Sequence, residues 1–286
     1  MIKDIYDNWI ELCNETNKQE RYVGKEEYFG ASSAYSCTRK RFFKINEYEE
    51  TNPTSNDAIR NMRTGTIFHD DMEKALVNAI TNSNPNFVDK IKHISIEEEF
   101  VMEKLGVRGF ADAIITTPDD KVYLYDFKTC TSWKYTQLFG KLKGDIIENR
   151  SISYDLQLAT YGIGVLEKYS RLDKMILVFF NKEKGLMNEY EVPIKAIEMA
   201  KLYWEIQKLG TEKLPEINEI SPFASWECGY CNWKDLCMKT EDMQDTNKKD
   251  WNKYIKIFED KRGKFEKEYK EIVMEWYDKY RKTYKM

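Results

Sequence analysis

The sequence predicts an α/β or α+β fold in which helices cover one β-sheet. A run of β-branched and aromatic segments between residues 93 and 129 is separated by turn residues. A helical period precedes that run, and further strands and helices follow it. The chain has 286 residues, 42% of them hydrophobic and 33% charged, a globular balance that can bury a sizeable core. Nothing reaches the roughly 18 consecutive apolar residues of a membrane span. Met1-Ile2-Lys3-Asp4-Ile5 lacks the basic start and apolar stretch of a secretory signal, so a cytoplasmic, reducing compartment is expected. The net charge of −4 argues against a passive nucleic-acid coat, which carries a basic excess, but not against an enzyme that confines basic residues to one groove.

The elements follow in order. The first thirty residues form a helical lead-in, and Ser32-Ser33 offers a cap before Ala34 and the basic run Arg39-Lys40-Arg41. A loop holding Pro53 leads into a helix from Asp57 to about Ile80, with Thr64-Gly65 as an interruption. His93 to Met102, Val107 to Thr116 and Lys121 to Thr129 are strands, joined by turns at Lys104-Leu105-Gly106 and Pro118-Asp119-Asp120. Trp133 to Ser153 is a lysine-containing connection, and Tyr154 to Tyr169 a helix. Lys174 to Asn181 and Asn188 to Pro193 are further strands, followed by a helix from Ile194 to about Leu209. Past residue 240, Trp251, Tyr254, Ile255, Phe258, Phe265, Tyr269, Ile272 and Trp276 fall at helical spacings, predicting two amphipathic helices hinged near Gly263. The division expected is a body over residues 1–240 and a helical extension over 241–286. No Gly-rich phosphate loop marks an ATP motor.

Chemistry concentrates at the end of one strand. In Tyr125-Asp126-Phe127-Lys128, alternation puts Asp126 and Lys128 on one face and Phe127 on the other, towards the core. An isolated Asp-x-Lys is ordinarily a simple ion pair. Asp112, however, is a lone acid in the preceding apolar strand, and a hairpin at Pro118 brings it beside Asp126. Two converging carboxylates repel unless a cation sits between them. Mg²⁺ is held by one or two carboxylates plus water and phosphate oxygens, a setting suited to phosphodiester hydrolysis. His69 lies one helical turn beyond Gly65, whose missing side chain would let another backbone pass closely. Gln157 and Tyr161 share a helix face. Each of these taken alone reads as structural.

The ordered set is more specific than its parts. Gly65-x-x-x-His69, Gly109-x-x-Asp112, Asp126-x-Lys128 and Gln157-x-x-x-Tyr161 resemble the RecB-like branch of the PD-(D/E)XK nuclease superfamily over roughly residues 30–240. The resemblance implies a restriction-endonuclease-like core with a central mixed sheet flanked by helices. It implies metal ligation by His69, Asp112, Asp126 and the carbonyl of Phe127, and Lys128 as catalytic lysine. It implies that Gln157 and Tyr161 hold the DNA strand or brace the site. Ala111 replaces the superfamily's proline, and Asp126 stands where many members have Glu.

Cys13 and Cys130 are isolated, whereas Cys228, Cys231 and Cys237 crowd into one loop, with Cys37 as a candidate fourth ligand. Clustered cysteines in a reducing cytosol read first as metal ligands. Paired zinc knuckles would need a second Cys-x-x-Cys, and a cubane accepts four thiolates from any topology. One early and three late cysteines resemble the iron–sulfur nucleases, namely the AddB nuclease domain and the CRISPR-associated RecB-like exonucleases, and imply a [4Fe-4S] cluster. Zinc remains the alternative. Arg39 and Arg41, interleaved with aromatics, are candidate phosphate contacts.

The resemblance further implies a Mg²⁺- or Mn²⁺-dependent deoxyribonuclease, exonucleolytic on single-stranded DNA ends. Its setting would be recombination, repair, phage DNA metabolism or CRISPR adaptation, with a helicase, recombination or adaptation protein as partner. The rival reading is a catalytically weak DNA-end-binding module, and a third is a zinc-stapled structural protein.

Overall fold

A computed structural model of the chain describes residues 1–22, 28–81, 87, 89–140, 151–208, 214, 225–240, 267–268 and 271–272. The lead-in is helix α1 (Ile2–Tyr22). It lies against α3 (Asn56–Thr81) through an Asp7–Arg60 ion pair of 2.5 Å and the Arg63 guanidinium over the Trp9 ring. Between them come the short strand β1 (Phe29–Gly30), a 3-10 turn over Ala31–Ser33 and α2 (Thr38–Ile45).

Two local expectations change here. Ser32-Ser33 does not cap a helix. The Ser33 hydroxyl donates to the Gly30 carbonyl, Tyr35 takes a left-handed φ of 64°, and α2 starts only at Thr38. Nor is α3 interrupted at Thr64-Gly65. A helical glycine costs about 1 kcal/mol against alanine, too little to break twenty-six residues of helix.

The sheet is mixed, in the order β1-β3-β4-β5-β6, with β2 on the other side of β3. β2 (His93–Met102) and β3 (Val107–Thr116) form a long antiparallel pair, and β4 (Val122–Cys130) pairs antiparallel with β3 only from Ala113 to Thr116. β1 pairs parallel with β3 at Val107 and Arg108. The edge of β3 away from β2 is therefore shared. β4 takes one end and β1 the other, and among the described residues Gly109 to Asp112 have no partner strand between them.

β4 continues parallel to β5 (Lys174–Asn181), whose hairpin partner is β6 (Leu186–Val192). The crossover from β4 to β5 carries α4 (Ser132–Phe139) and α5 (Ile152–Tyr169). α4 lies where a plain connection was expected. Thr131 caps it by accepting from the Lys134 N–H, and Tyr135 and Leu138, three apart, are buried.

Two apolar clusters flank the sheet. The larger joins Leu124, Leu177 and Phe179 to Leu156, Leu158 and Ile163 of α5 and to Tyr203 and Trp204 of α6 (Ala196–Lys208). The smaller joins Ala113, Phe127, Ile176 and Val178 to Phe68, Met72 and Leu76 of α3. Helices thus cover the sheet as the patterning predicts, and Phe127 points away from Asp126 into the smaller cluster. After a 3-10 segment (Ser225–Tyr230) comes α7 (Lys234–Met238). The expected helices past residue 240 lie almost wholly outside the described residues, and the described Ile272 packs against the larger cluster. No helix among the described residues is long and apolar enough to cross a membrane.

Candidate active site

The site opens where β3 and β4 part. The β3–β4 register would next place Asp112 opposite Asp126, but pairing stops at Ala113–Tyr125. Beyond that point the Asp112 carboxylate replaces a backbone acceptor, taking the Phe127 N–H at 2.6 Å. Asp126, 1% exposed, has its Oδ2 2.6 Å from Lys128 Nζ, and Gln157 donates to its Oδ1 at 3.3 Å. Although Lys128 is this close, Asp126 Oδ2 receives no well-directed hydrogen bond. The contact is therefore an ion pair whose carboxylate retains accepting capacity.

The electrostatics follow from burial. Burial pushes the Asp126 carboxyl up, Lys128 pulls it back, and neighbouring Asp112 pushes it up again, for a net rise. Burial works against the Lys128 ammonium, yet Asp126 and Asp112 outweigh it and hold the proton on. His69 behaves alike: burial favours the neutral ring, but the Asp112 hydrogen bond and charge prevail and its pKa rises.

His69, on α3, places Nδ1 3.5 Å from Asp112 Oδ1. A third donor comes from β2. Glu97 sits between the Ile96–Ala113 and Glu98–Ala111 pairs, opposite Asp112, with a left-handed φ of 49° inside a strand. Such a backbone is strained for a residue with a side chain and concentrates at functional sites. One ligand atom each of His69, Glu97 and Asp112 falls within a common 4.8 Å. An imidazole and two carboxylates at this spacing fit a divalent cation, the carboxylates suiting Mg²⁺ and the imidazole admitting Mn²⁺. Glu73, one turn beyond His69, borders the group: burial raises its carboxyl, and Glu97, Asp70 and Asp112 raise it further.

Sequence reasoning did not single out Glu97. Three consecutive acids in a strand read as a solvated face, and only the register to Asp112 distinguishes the first of them. Asp126 stands outside the three-donor group, turned towards Lys128.

The α5 helix supports the floor of the site. Gln157 Nε2 also donates to the Tyr161 hydroxyl at 2.9 Å. At 7% and 3% exposed, Gln157 and Tyr161 are enclosed, and through them α5 is tied to Asp126. Gly109 makes this possible: a Cβ there would lie 2.5 Å from Tyr161 Cε1 and 2.7 Å from Ala31 Cβ. Gly65 differs from the expectation. A Cβ there would meet only Thr129 Oγ1, at an ordinary 3.5 Å, so no close backbone approach demands the glycine.

The expected phosphate strip at Arg39 and Arg41 does not form. Arg41, 5% exposed, donates to Gln207 Oε1 at 2.7 Å, to the Ser33 carbonyl at 2.6 Å and to the Tyr203 hydroxyl, with its guanidinium over the Trp204 ring. Arg39 is also buried and donates to Thr240 Oγ1 at 2.9 Å. Both are enclosed by neighbours on different sides of α2, which a bare charge run cannot reveal.

The cysteine segments meet although far apart in sequence. The Cys37 N–H donates to the Glu227 carboxylate at 3.0 and 3.1 Å, Asn52 N–H to the Asn232 carbonyl at 2.8 Å, and Trp233 Nε1 to the Tyr48 carbonyl at 2.8 Å. Burial pushes the Cys228 thiol up to about 12, with Cys37, Cys237 and Cys231 adding to the rise. Among the described residues no three of these sulfurs lie within 4.8 Å of one another.

Comparison with known proteins bears on this site. No curated protein matches the chain. The solved structure of SSO0001 is similar at 19% identity with a TM-score of 0.51, over 83% of this chain and 98% of that one, which speaks for the fold alone. A presumed exonuclease from Eubacterium rectale is similar at 14% identity over 68% of this chain and 87% of its own, but its TM-score of 0.38 is too low to carry an argument. The sequence matches the PD-(D/E)XK nuclease superfamily over residues 83–238. That match spans more than half of the 286 residues and takes in β2 to β6, and on it the chain belongs to the PD-(D/E)XK nuclease superfamily.

Proposed function

We propose that the protein is a RecB-like, Mg²⁺- or Mn²⁺-dependent deoxyribonuclease that trims single-stranded DNA ends and carries a [4Fe-4S] cluster on Cys37, Cys228, Cys231 and Cys237. One observation carries the nuclease reading furthest: Asp112, Asp126 and Lys128 converge where β3 and β4 part, beside His69 and Glu97. His69, Glu97 and Asp112 would hold the cation, with Asp126 and the Phe127 carbonyl completing its surroundings. The bound cation supplies an activated water and screens the phosphate charge. Lys128, kept protonated by its acidic neighbours, stabilises charge on the scissile phosphate or orients the nucleophile. Gln157 and Tyr161 hold Asp126 in place. The preference for single-stranded ends rests on the resemblance to the RecB-like branch.

The choice of a cluster over zinc rests on the resemblance of one early and three late cysteines to the iron–sulfur nucleases. The division into a nuclease body over 1–240 and a helical extension over 241–286 is part of this proposal, as is a partner that feeds ends to the site.

The test is cleavage of end-labelled single-stranded DNA with Mn²⁺ by anaerobically purified protein, beside Asp126→Ala and Lys128→Ala. Brown protein whose cutting disappears in both variants supports the reading. Brown protein that cuts no end favours the rival, a DNA-end-binding module. Cutting by Lys128→Ala at the wild-type rate removes that lysine from the mechanism.

A further inference from the structure

Lys128 ends in a flexible four-carbon stem, and a catalytic ammonium must be held in one place to act. Asp126 contacts it on one side at 2.6 Å, and a second group restrains it. Tyr154, in the first turn of α5, carries its ring 5.3 Å from Lys128 Nζ, measured to the ring centroid. A ring face attracts a cation at this distance through its quadrupole. Tyr154, Gln157 and Tyr161 are three and four residues apart on α5, so one helix face meets both charged residues of β4: Tyr154 meets Lys128, and Gln157 meets Asp126. The Tyr154 ring is itself wedged beside Phe179, with centroids 5.9 Å apart at 55°, in the larger apolar cluster. It is half-buried, as a wall of the site would be, and burial pushes its phenol up, so it stays neutral beside the ammonium.

We propose that Tyr154 is a positioning residue for phosphodiester cleavage, its ring face fixing the Lys128 ammonium against Asp126 at the end of β4. This rests on the nuclease reading above. The aromatic face matters and the hydroxyl does not, so Tyr154→Phe preserves the function and the smaller, aliphatic Tyr154→Leu does not.

The experiment measures kcat and KM on end-labelled single-stranded DNA with Mn²⁺ for wild type, Tyr154→Phe and Tyr154→Leu, together with thermal melting. NMR of ¹³Cε-labelled lysine in the full chain accompanies it, with the Lys128 signal identified by its absence from Lys128→Ala. Tyr154→Leu is expected to lower kcat by roughly 2- to 30-fold, the range of one cation–π contact, with KM unchanged. Tyr154→Phe should stay within about twofold of wild type. The Lys128 resonance should show a ring-current shift in wild type and Tyr154→Phe that Tyr154→Leu loses.

Wild-type kcat in Tyr154→Leu overturns the proposal, as does a Phe variant as impaired as the Leu one, which would assign the effect to the hydroxyl. Where Tyr154→Leu melts early, the Phe variant and the Lys128 shift decide: an unshifted Lys128 resonance in wild type overturns the proposal. Wild-type protein that cleaves no DNA removes the nuclease reading and this role with it, whereas active wild type with an indifferent Tyr154 removes this role alone.

Discussion

At the scale of single residues, the site depends on close approaches that leave no room for change. Gly109 is the sharpest case, because its hydrogen faces the Tyr161 ring and Ala31. Gly109→Ala is expected to destabilise the fold by about 1–3 kcal/mol, as overpacking does, read as a lower urea midpoint at unchanged slope. Combined with Tyr161→Ala, which vacates the ring's space, the two losses should fall short of their sum. Full additivity would show that the Gly109–Tyr161 contact is not what strains the variant. This coupling explains two of the sequence motifs at once: the glycine before Asp112 and the tyrosine after Gln157 are two halves of one contact. Asp112, Asp126 and Lys128 were legible in the sequence because a charge in an apolar strand has no cheap explanation. Glu97 was not, because its meaning lies in a cross-strand register that no local pattern encodes. Arg41 misled for the converse reason, since a guanidinium can pack over Trp204 as readily as it can face solvent.

At the scale of elements, β2 is clamped to α5 by a cluster separate from the site. Glu98 accepts from Lys168 and, at 2.6 Å, from the Tyr169 hydroxyl, which lies 3.1 Å from Ser95 Oγ. Burial raises the Glu98 carboxyl, but Lys168, Tyr169 and Ser95 outweigh it and hold its pKa below the ordinary 4.5. A carboxyl depressed in the folded state stabilises above its unfolded value, and that contribution is lost as pH falls through the folded value. Unfolding measured from pH 6 down to about pH 3 should therefore show a steeper acid loss in wild type than in Glu98→Gln; equal slopes would remove Glu98 from the acid response. The long strands and α5 could be read from β-branched content and apolar density. β1 could not, because two residues carry no period. α4 was hidden because its apolar face is only Tyr135 and Leu138, a pattern too brief to separate from a loop.

At the scale of the whole molecule, the segments around Cys37 and Cys231 join early and late parts of the chain. If the four thiols hold a cluster, Cys37→Ala and Cys231→Ala should each give colourless protein that melts well below wild type, because metal binding to the folded state is folding free energy. Wild-type absorbance and melting in both would remove the cluster from the proposal. Independently, Mn²⁺ added to chelator-treated protein should raise the melting temperature in proportion to the logarithm of its concentration, and less so in Asp112→Asn. The mixed sheet was readable from the order of elements, whereas the seam between residues 37–52 and 227–235 was signalled by cysteines alone, its hydrogen bonds being invisible to pattern. That seam also sets a schedule for biosynthesis. The backbone at Cys37 meets a side chain 190 positions later in the chain, after every strand of the sheet has been made. At typical elongation speeds Cys37 waits roughly 10 to 40 s for Glu227 to leave the ribosome. The sheet can assemble during that interval, so the seam closes on strands already paired, and a message truncated before residue 227 would yield a sheet without its seam.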